Sequence, residues 1–76
     1  MKDKPKRPTS SARLVFEVYP DNRQQWRWRL WASNGKIIGD SGEGNGYVRR
    51  RDAVAMVNLI MGIGVGVTVE MLVWPI

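Results

Sequence analysis

Trp26-Arg27-Trp28-Arg29-Leu30-Trp31, followed directly by Ala32-Ser33-Asn34-Gly35 and Lys36-Ile37-Ile38-Gly39-Asp40-Ser41, decides the fold of this chain. Trp26, Trp28, Leu30 and Ala32 alternate with Arg27, Arg29 and Trp31, the period of two that marks a half-buried strand. Asn34-Gly35 is a strong short hairpin signal, because both central positions of a type I′ turn need positive φ. With a two-residue loop, Ser33 faces Lys36, Leu30 faces Gly39, and Arg29 faces Asp40.

Upstream, Arg13-Leu14-Val15-Phe16-Glu17-Val18-Tyr19 alternates in the same way, and Pro20-Asp21-Asn22-Arg23-Gln24 supplies turn chemistry. Matching the apolar faces of the two strands sets Glu17 near Arg27. One sheet face then carries Leu14, Phe16, Val18, Trp26, Trp28, Leu30 and Ile37. The other carries Glu17, Arg27, Arg29, Trp31, Ile38 and Asp40. Downstream, Gly42 to Gly46 reads as a loop. Ala53, Met56, Val57, Ile60 and Met61 then recur at three and four, as on an amphipathic helix that ends at Gly62. Gly62-Ile63-Gly64-Val65-Gly66 reads as a connector, and Val67 to Val73 as a fourth strand. The expected fold is α+β: an antiparallel three-stranded meander, one helix, then a C-terminal strand (β-β-β-α-β).

The chain has 76 residues, no cysteine, no histidine and a formal net charge of +5. That length supports one domain with a marginal core, since a chain of about 60 residues buries only about 60% of its unfolded surface. Disulfides and the usual zinc sites are excluded, so self-association is the remaining route to stability, and a homo-oligomer is expected. Residues 1–12 hold four basic residues against Asp3 and read as a flexible basic tail; residues 13–76 read as the domain. No secretory leader is visible at the start, and the absence of cysteine fits a cytoplasmic protein. Ala53 to Val69 is an apolar run at the lower limit for a membrane span. Its glycines, its β-branched second half and Glu70 argue against one.

The motifs Phe16-Glu17-Val18-Tyr19, Trp26-Arg27-Trp28-Arg29-Leu30, Ala32-Ser33-Asn34-Gly35 and Gly46-Tyr47 occur in order, with Asp52-Ala53 at the helix start. This series resembles the YegP-like family, small bacterial proteins built on a domain of unknown function. The resemblance covers residues 14 to 60 and implies a short antiparallel sheet packed by a helix in a bacterial or phage protein. Many members carry two tandem copies packed together, which implies a homodimer for a single-copy chain. No enzymatic activity is firmly associated with the family. Two departures stand out. Val48 and Arg49 replace the usual small polar helix cap, and the segment from Val65 to Ile76 is unusually apolar, as a dimer contact would be.

Catalytic chemistry has little to work with. The common general bases and thiol nucleophiles are missing, and no two carboxylates form a dyad by position. Glu17 and Asp40 read as cross-strand partners of Arg27 and Arg29. Gly42-x-Gly44-x-Gly46 lacks the lysine and hydroxyl residue that end a P-loop. No cofactor or metal is expected, and the chain reads as a non-enzyme. The residues that would meet an anionic partner, nucleic acid or acidic protein, are Lys2, Lys4, Lys6 and Arg7 in the tail, Arg49, Arg50 and Arg51 at the helix start, and Arg27, Arg29 and Trp31 on the sheet. Positive charge at a helix N-terminus opposes the macrodipole, an unfavourable choice that can mark a function. Trp26 and Trp28 share a face with aliphatics and read as core, so Trp31 is the indole left for stacking.

Overall fold

A computed structural model describes residues 5–42, 44–63 and 68–75. Its elements are β1 (Leu14–Pro20), β2 (Trp26–Trp31), β3 (Ile37–Asp40), α1 (Arg50–Met61) and β4 (Val69–Val73). The β-β-β-α-β order of the sequence reading holds, and the sheet order is β3-β2-β1-β4. β1, β2 and β3 form the antiparallel meander, whereas β4 lies parallel to β1. A parallel partner needs a long crossover, and α1 supplies it by carrying the chain back across the sheet.

Both hairpin loops depart from the simplest turn chemistry. At the β2–β3 loop, Gly35 N–H donates to Ala32 O at 3.1 Å and Ala32 N–H to Lys36 O at 2.8 Å. Gly35 takes φ +85°, and Asn34 is not left-handed. This is a three-residue loop with a left-handed glycine, not the expected type I′ turn, so Ala32 rather than Ser33 faces Lys36. Trp31 accordingly pairs with Ile37. The register then slips by one between Leu30 and Trp31, which restores the anticipated pairs Leu30 with Gly39 and Arg29 with Asp40. The bulge leaves Ile37 and Ile38 both exposed, so Ile37 does not join the core face.

The β1–β2 loop is built alike. Asp21 N–H donates to Gln25 O at 2.8 Å, Gln24 N–H to Asp21 O at 3.2 Å, and Gln24 sits at φ 63°. Asp21 Oδ1 accepts from the N–H groups of Arg23 (2.8 Å) and Gln25 (3.0 Å), which fixes the turn. The tighter loop moves the strand register by two residues from the expectation, so Glu17 lies opposite Arg29, not near Arg27. A shift of two preserves every side chain's face, which is why the core faces of β1 and β2 match the sequence reading while the ion pair does not.

One face of the sheet packs on α1. Phe16, Val18 and Trp26 meet Ala53 and Val57, with Trp28, Leu30, Tyr47, Val54, Ile60, Met61, Val69 and Met71 around them. Phe16 and Trp28 pack edge to face, 5.6 Å between centroids. Each fully buried aliphatic or Phe side chain contributes about 1.5–3 kcal/mol. α1 starts after Arg49, which is extended and makes no side-chain cap bond; Asp52 places the only negative charge in the first turn. At the other end Gly62 stays right-handed (φ −67°), so no left-handed cap forms. No helix among the described residues is long and apolar enough to cross a membrane.

Gly46 sets how closely the loop before α1 approaches β2. Tyr47 exchanges two backbone hydrogen bonds with Trp26 (2.7 and 2.8 Å), and Gly46 N–H donates to Gln25 Oε1 at 2.7 Å. A Cβ on Gly46 would lie 2.5 Å from Trp26 O. Gly46→Ala is therefore expected to lower stability by about 1–3 kcal/mol, as overpacking does. Denaturant unfolding with an unchanged midpoint would refute this account of Gly46.

Candidate binding site

The sequence pattern makes the second face of the sheet a mixed outer one. It is instead built around a buried carboxylate. Glu17, on β1, is 3% exposed. Its Oε1 accepts from Arg29 Nε at 2.6 Å and from the Trp31 indole N–H at 3.0 Å; its Oε2 accepts from the Trp74 indole N–H at 2.6 Å. The donors come from β2 and from the segment after β4. Trp74 reaches this face because β4 is parallel to β1. Leu14, Phe16 and Val18 pair with Val69, Met71 and Val73, so Glu70, Leu72 and, by alternation, Trp74 fall on the side of Glu17.

Arg29 is held on both sides. Its guanidinium lies 4.0 Å from the centroid of the Tyr19 ring and 5.6 Å from that of Trp31. Burial pushes the Glu17 carboxyl up, but the hydrogen bonds from Arg29, Trp74 and Trp31, with the charge of Arg29, hold it below its usual value. The carboxylate therefore stays ionised as a structural group and is not poised for proton transfer.

Arg27 has a different partner from the one anticipated. Its Nε donates to Asp21 Oδ2 at 2.8 Å, its Nη1 to Gly42 O at 2.9 Å, and its Nη2 to Gly44 O. It ties the β1–β2 loop to the glycine-rich loop, where Gly42 and Gly44 both have positive φ. Asp40 forms no ion pair with Arg29; its Oδ1 accepts Gly42 N–H at 2.7 Å. The Asp21 carboxyl lies below its usual range, through the Arg27 hydrogen bond first and the Gln25 and Arg23 N–H groups as well.

These contacts place each residue singled out in the sequence. Trp31 is 2% exposed and presents no open ring to a base. Arg27 and Arg29 are committed to Asp21 and Glu17. Arg7 donates to the carbonyls of Ala32 (3.1 Å), Ser10 (3.3 Å), Ala12 (2.7 Å) and Pro8 (3.5 Å), which lays residues 5–12 along the Glu17 face. Arg50 Nη1 donates to Trp74 O at 3.3 Å, and its guanidinium lies 5.7 Å from the centroid of the Trp26 ring. Lys6, Arg49 and Arg51 are exposed, and Lys2 and Lys4 fall outside the described residues. The structure does not gather these cations into one surface.

It gathers others. A cleft of about 340 Å³ opens beside Glu17, lined by Lys6, Pro8, Leu72, Trp74 and Pro75. Of these, the sequence reading had picked out Lys6 alone. Trp74 became visible only through the docking of β4 on β1, since nothing local in Trp74-Pro75 says which side it takes.

Among the described residues, fold and site together define a small α+β domain with one helix on a four-stranded mixed sheet and a buried ionic centre on the other face. The family model described as "Domain of unknown function (DUF1508)" matches residues 21–70, and the chain belongs to that family. This bears out the resemblance to YegP-like proteins. The UPF0339 protein NMB1088 of Neisseria meningitidis serogroup B is 36% identical over 47 residues, 62% of this chain and 79% of the relative. The UPF0339 protein NMA1193/NMA1859 of serogroup A matches to the same extent. No solved structure matches the chain significantly.

A depressed carboxyl pKa has a defined sign in acid. Glu17 binds a proton more readily in the unfolded chain, whose carboxyl has its ordinary value of 4.5. Its contribution is thus full above that pH and declines as pH falls below it. Glu17→Gln is expected to lower stability at pH 7 by about 3 kcal/mol, as breaking a buried pair does. It should also flatten the loss of stability in acid, leaving the part due to Asp21. Unfolding free energies of both proteins between pH 3 and 7 measure this, and parallel curves would contradict it.

Proposed function

We propose that this chain is a non-catalytic interaction module that works as a homodimer. One observation carries the reading: β4 is an apolar strand at the edge of the sheet, paired on one side only among the described strands. The opposite edge, β3, is short and bulged, with Lys36 just before it and Asp40 at its end, which are features that discourage pairing. β4 has no bulge, and Glu70 is its single charge. An open strand of this kind is a ready template for a second copy, and a two-fold pairing would extend the sheet across both chains. α1 adds apolar surface: Met56 and Leu59 are exposed on it, Leu59 to 64%, and Ile63 is exposed just past its end.

The non-catalytic part rests on the state of the polar groups. The buried carboxylate is ion-paired and accepts from three donors, and among the described residues no group of three or more acidic side chains gathers.

The test follows from the hydrogen-bond alternation of β4. Trp74 N–H donates to Val18 O at 2.8 Å, so the Val73 N–H points away from β1 toward the free edge. Val73→Pro removes that outward donor and leaves the ladder to β1 in place. Size-exclusion chromatography with light scattering should give the mass of two chains for the parent and of one for the variant, with matching circular dichroism. A parent that runs as a single chain at micromolar concentration sinks the dimer.

A further inference from the structure

We propose that the cleft between residues 6–8 and Trp74-Pro75 binds a nucleotide, with the base stacked on Trp74 and the phosphate held by Lys6. The cleft shares Leu72 and Val73 with β4, but ligand binding reads it and molecular mass reads the homodimer, so the two stand or fall separately. At about 340 Å³ the cleft is at the lower end of the range for small-ligand sites, about 300–1,000 Å³.

Three of its features define the ligand. The first is Trp74, which is 49% exposed and yet fixed in orientation. Its indole N–H is held by Glu17 at 2.6 Å and its backbone N–H by Val18 O at 2.8 Å. A half-exposed indole normally loses rotamer freedom when a ligand covers it; this one is already ordered, so a flat ring stacks on it at lower entropic cost. Pro8, Leu72 and Pro75 supply apolar walls around the stacking plane.

The second feature is the acceptor beside the ring. Glu17 Oε1 already takes two donors, whereas Oε2 takes one, from Trp74, among the described residues. A carboxylate oxygen accommodates two. Oε2 thus has room for one N–H, of the kind a nucleobase presents on its edge. The third feature is charge. Arg29 neutralises Glu17, and Lys6 lines the cleft with an exposed ammonium that donates to anions. The local balance is positive and selects against organic cations, which would otherwise suit a carboxylate floor. A planar ring, an N–H donor and an anion on one small molecule describe a nucleotide. A free mononucleotide and a base within a single strand offer the same groups.

The experiment is a tryptophan-fluorescence titration of the full chain with guanosine and adenosine monophosphates, the matching nucleosides, and a short single-stranded oligonucleotide. Saturable quenching by a monophosphate is expected, at least about tenfold weaker for its nucleoside. Lys6→Glu, an exposed substitution, should weaken the monophosphate at least tenfold and leave the nucleoside unchanged. Trp74→Ala should lose about tenfold or more for every ligand, and Lys6→Glu keeps the test valid if that variant fails to fold. Much tighter binding of the oligonucleotide, with a steep salt dependence, would assign the site to strands; equal binding would assign it to free nucleotides. No saturable quenching by any probe at millimolar concentration overturns the proposal, as does a monophosphate affinity that Lys6→Glu leaves unchanged. Light scattering on the same samples keeps this apart from the dimer: a monomer that binds sinks only the dimer, and a dimer that does not bind sinks only the cleft.

Discussion

A carboxylate buried in the middle of a sheet is tolerable only if its charge is matched and its oxygens are satisfied. Glu17 meets both conditions by recruiting a guanidinium and two indole N–H groups from distant parts of the chain. The other parts of that face follow from this requirement. Arg29 must lie opposite Glu17, which fixes the β1–β2 register. Trp31 must turn its nitrogen inward, which closes the surface that would otherwise have been an aromatic platform. Trp74 must return to the same carboxylate, which pins the chain just beyond β4.

The two hairpins serve this arrangement in a similar way. Each uses a three-residue loop whose third residue is left-handed, Gln24 in one and Gly35 in the other. The first loop brings Arg29 into line with Glu17 and frees Arg27 to clasp Asp21 and the glycine-rich loop. The second would displace β3 by one residue, and the bulge at Ile38 corrects it. Because side chains alternate strictly along a strand, an uncorrected slip would have moved Gly39 off the helix side, where it now faces Leu30. The corrected register costs exposure of two isoleucines at a short edge.

The chain's basic character is therefore divided between structure and surface. Arg7, Arg27, Arg29 and Arg50 bind carbonyls, carboxylates and rings of the same molecule, while Lys6, Arg49 and Arg51 remain exposed. Arginine suits the inward role because its planar fork satisfies several acceptors in fixed directions. Exposed apolar side chains lie on the outer side of α1, near the end of β4, at Ile37 and Ile38 on the β3 edge, and at Val48. These regions, and the cleft beside Trp74, are surface that the molecule can offer a partner.

Much of the fold was legible in the residue pattern. Alternation from Leu14 to Ile38, a change of period at Ala53 and a return to β-rich residues near Val69 are local signals, and local sterics and burial suffice to read them. The helix-facing core followed for the same reason. The candidate site did not. Which arginine meets Glu17 depends on loop length to within two residues, and face patterns cannot see a shift of two. Burial of Trp31, the inward turn of Arg7 and the placement of Trp74 depend on segments far apart in the chain meeting over one carboxylate. The sequence alone determined the elements and their inner face, because those obey short-range periodicity. Only the tertiary structure decided what lies on the outer face, because a buried charge is satisfied by long-range partners that no local pattern names.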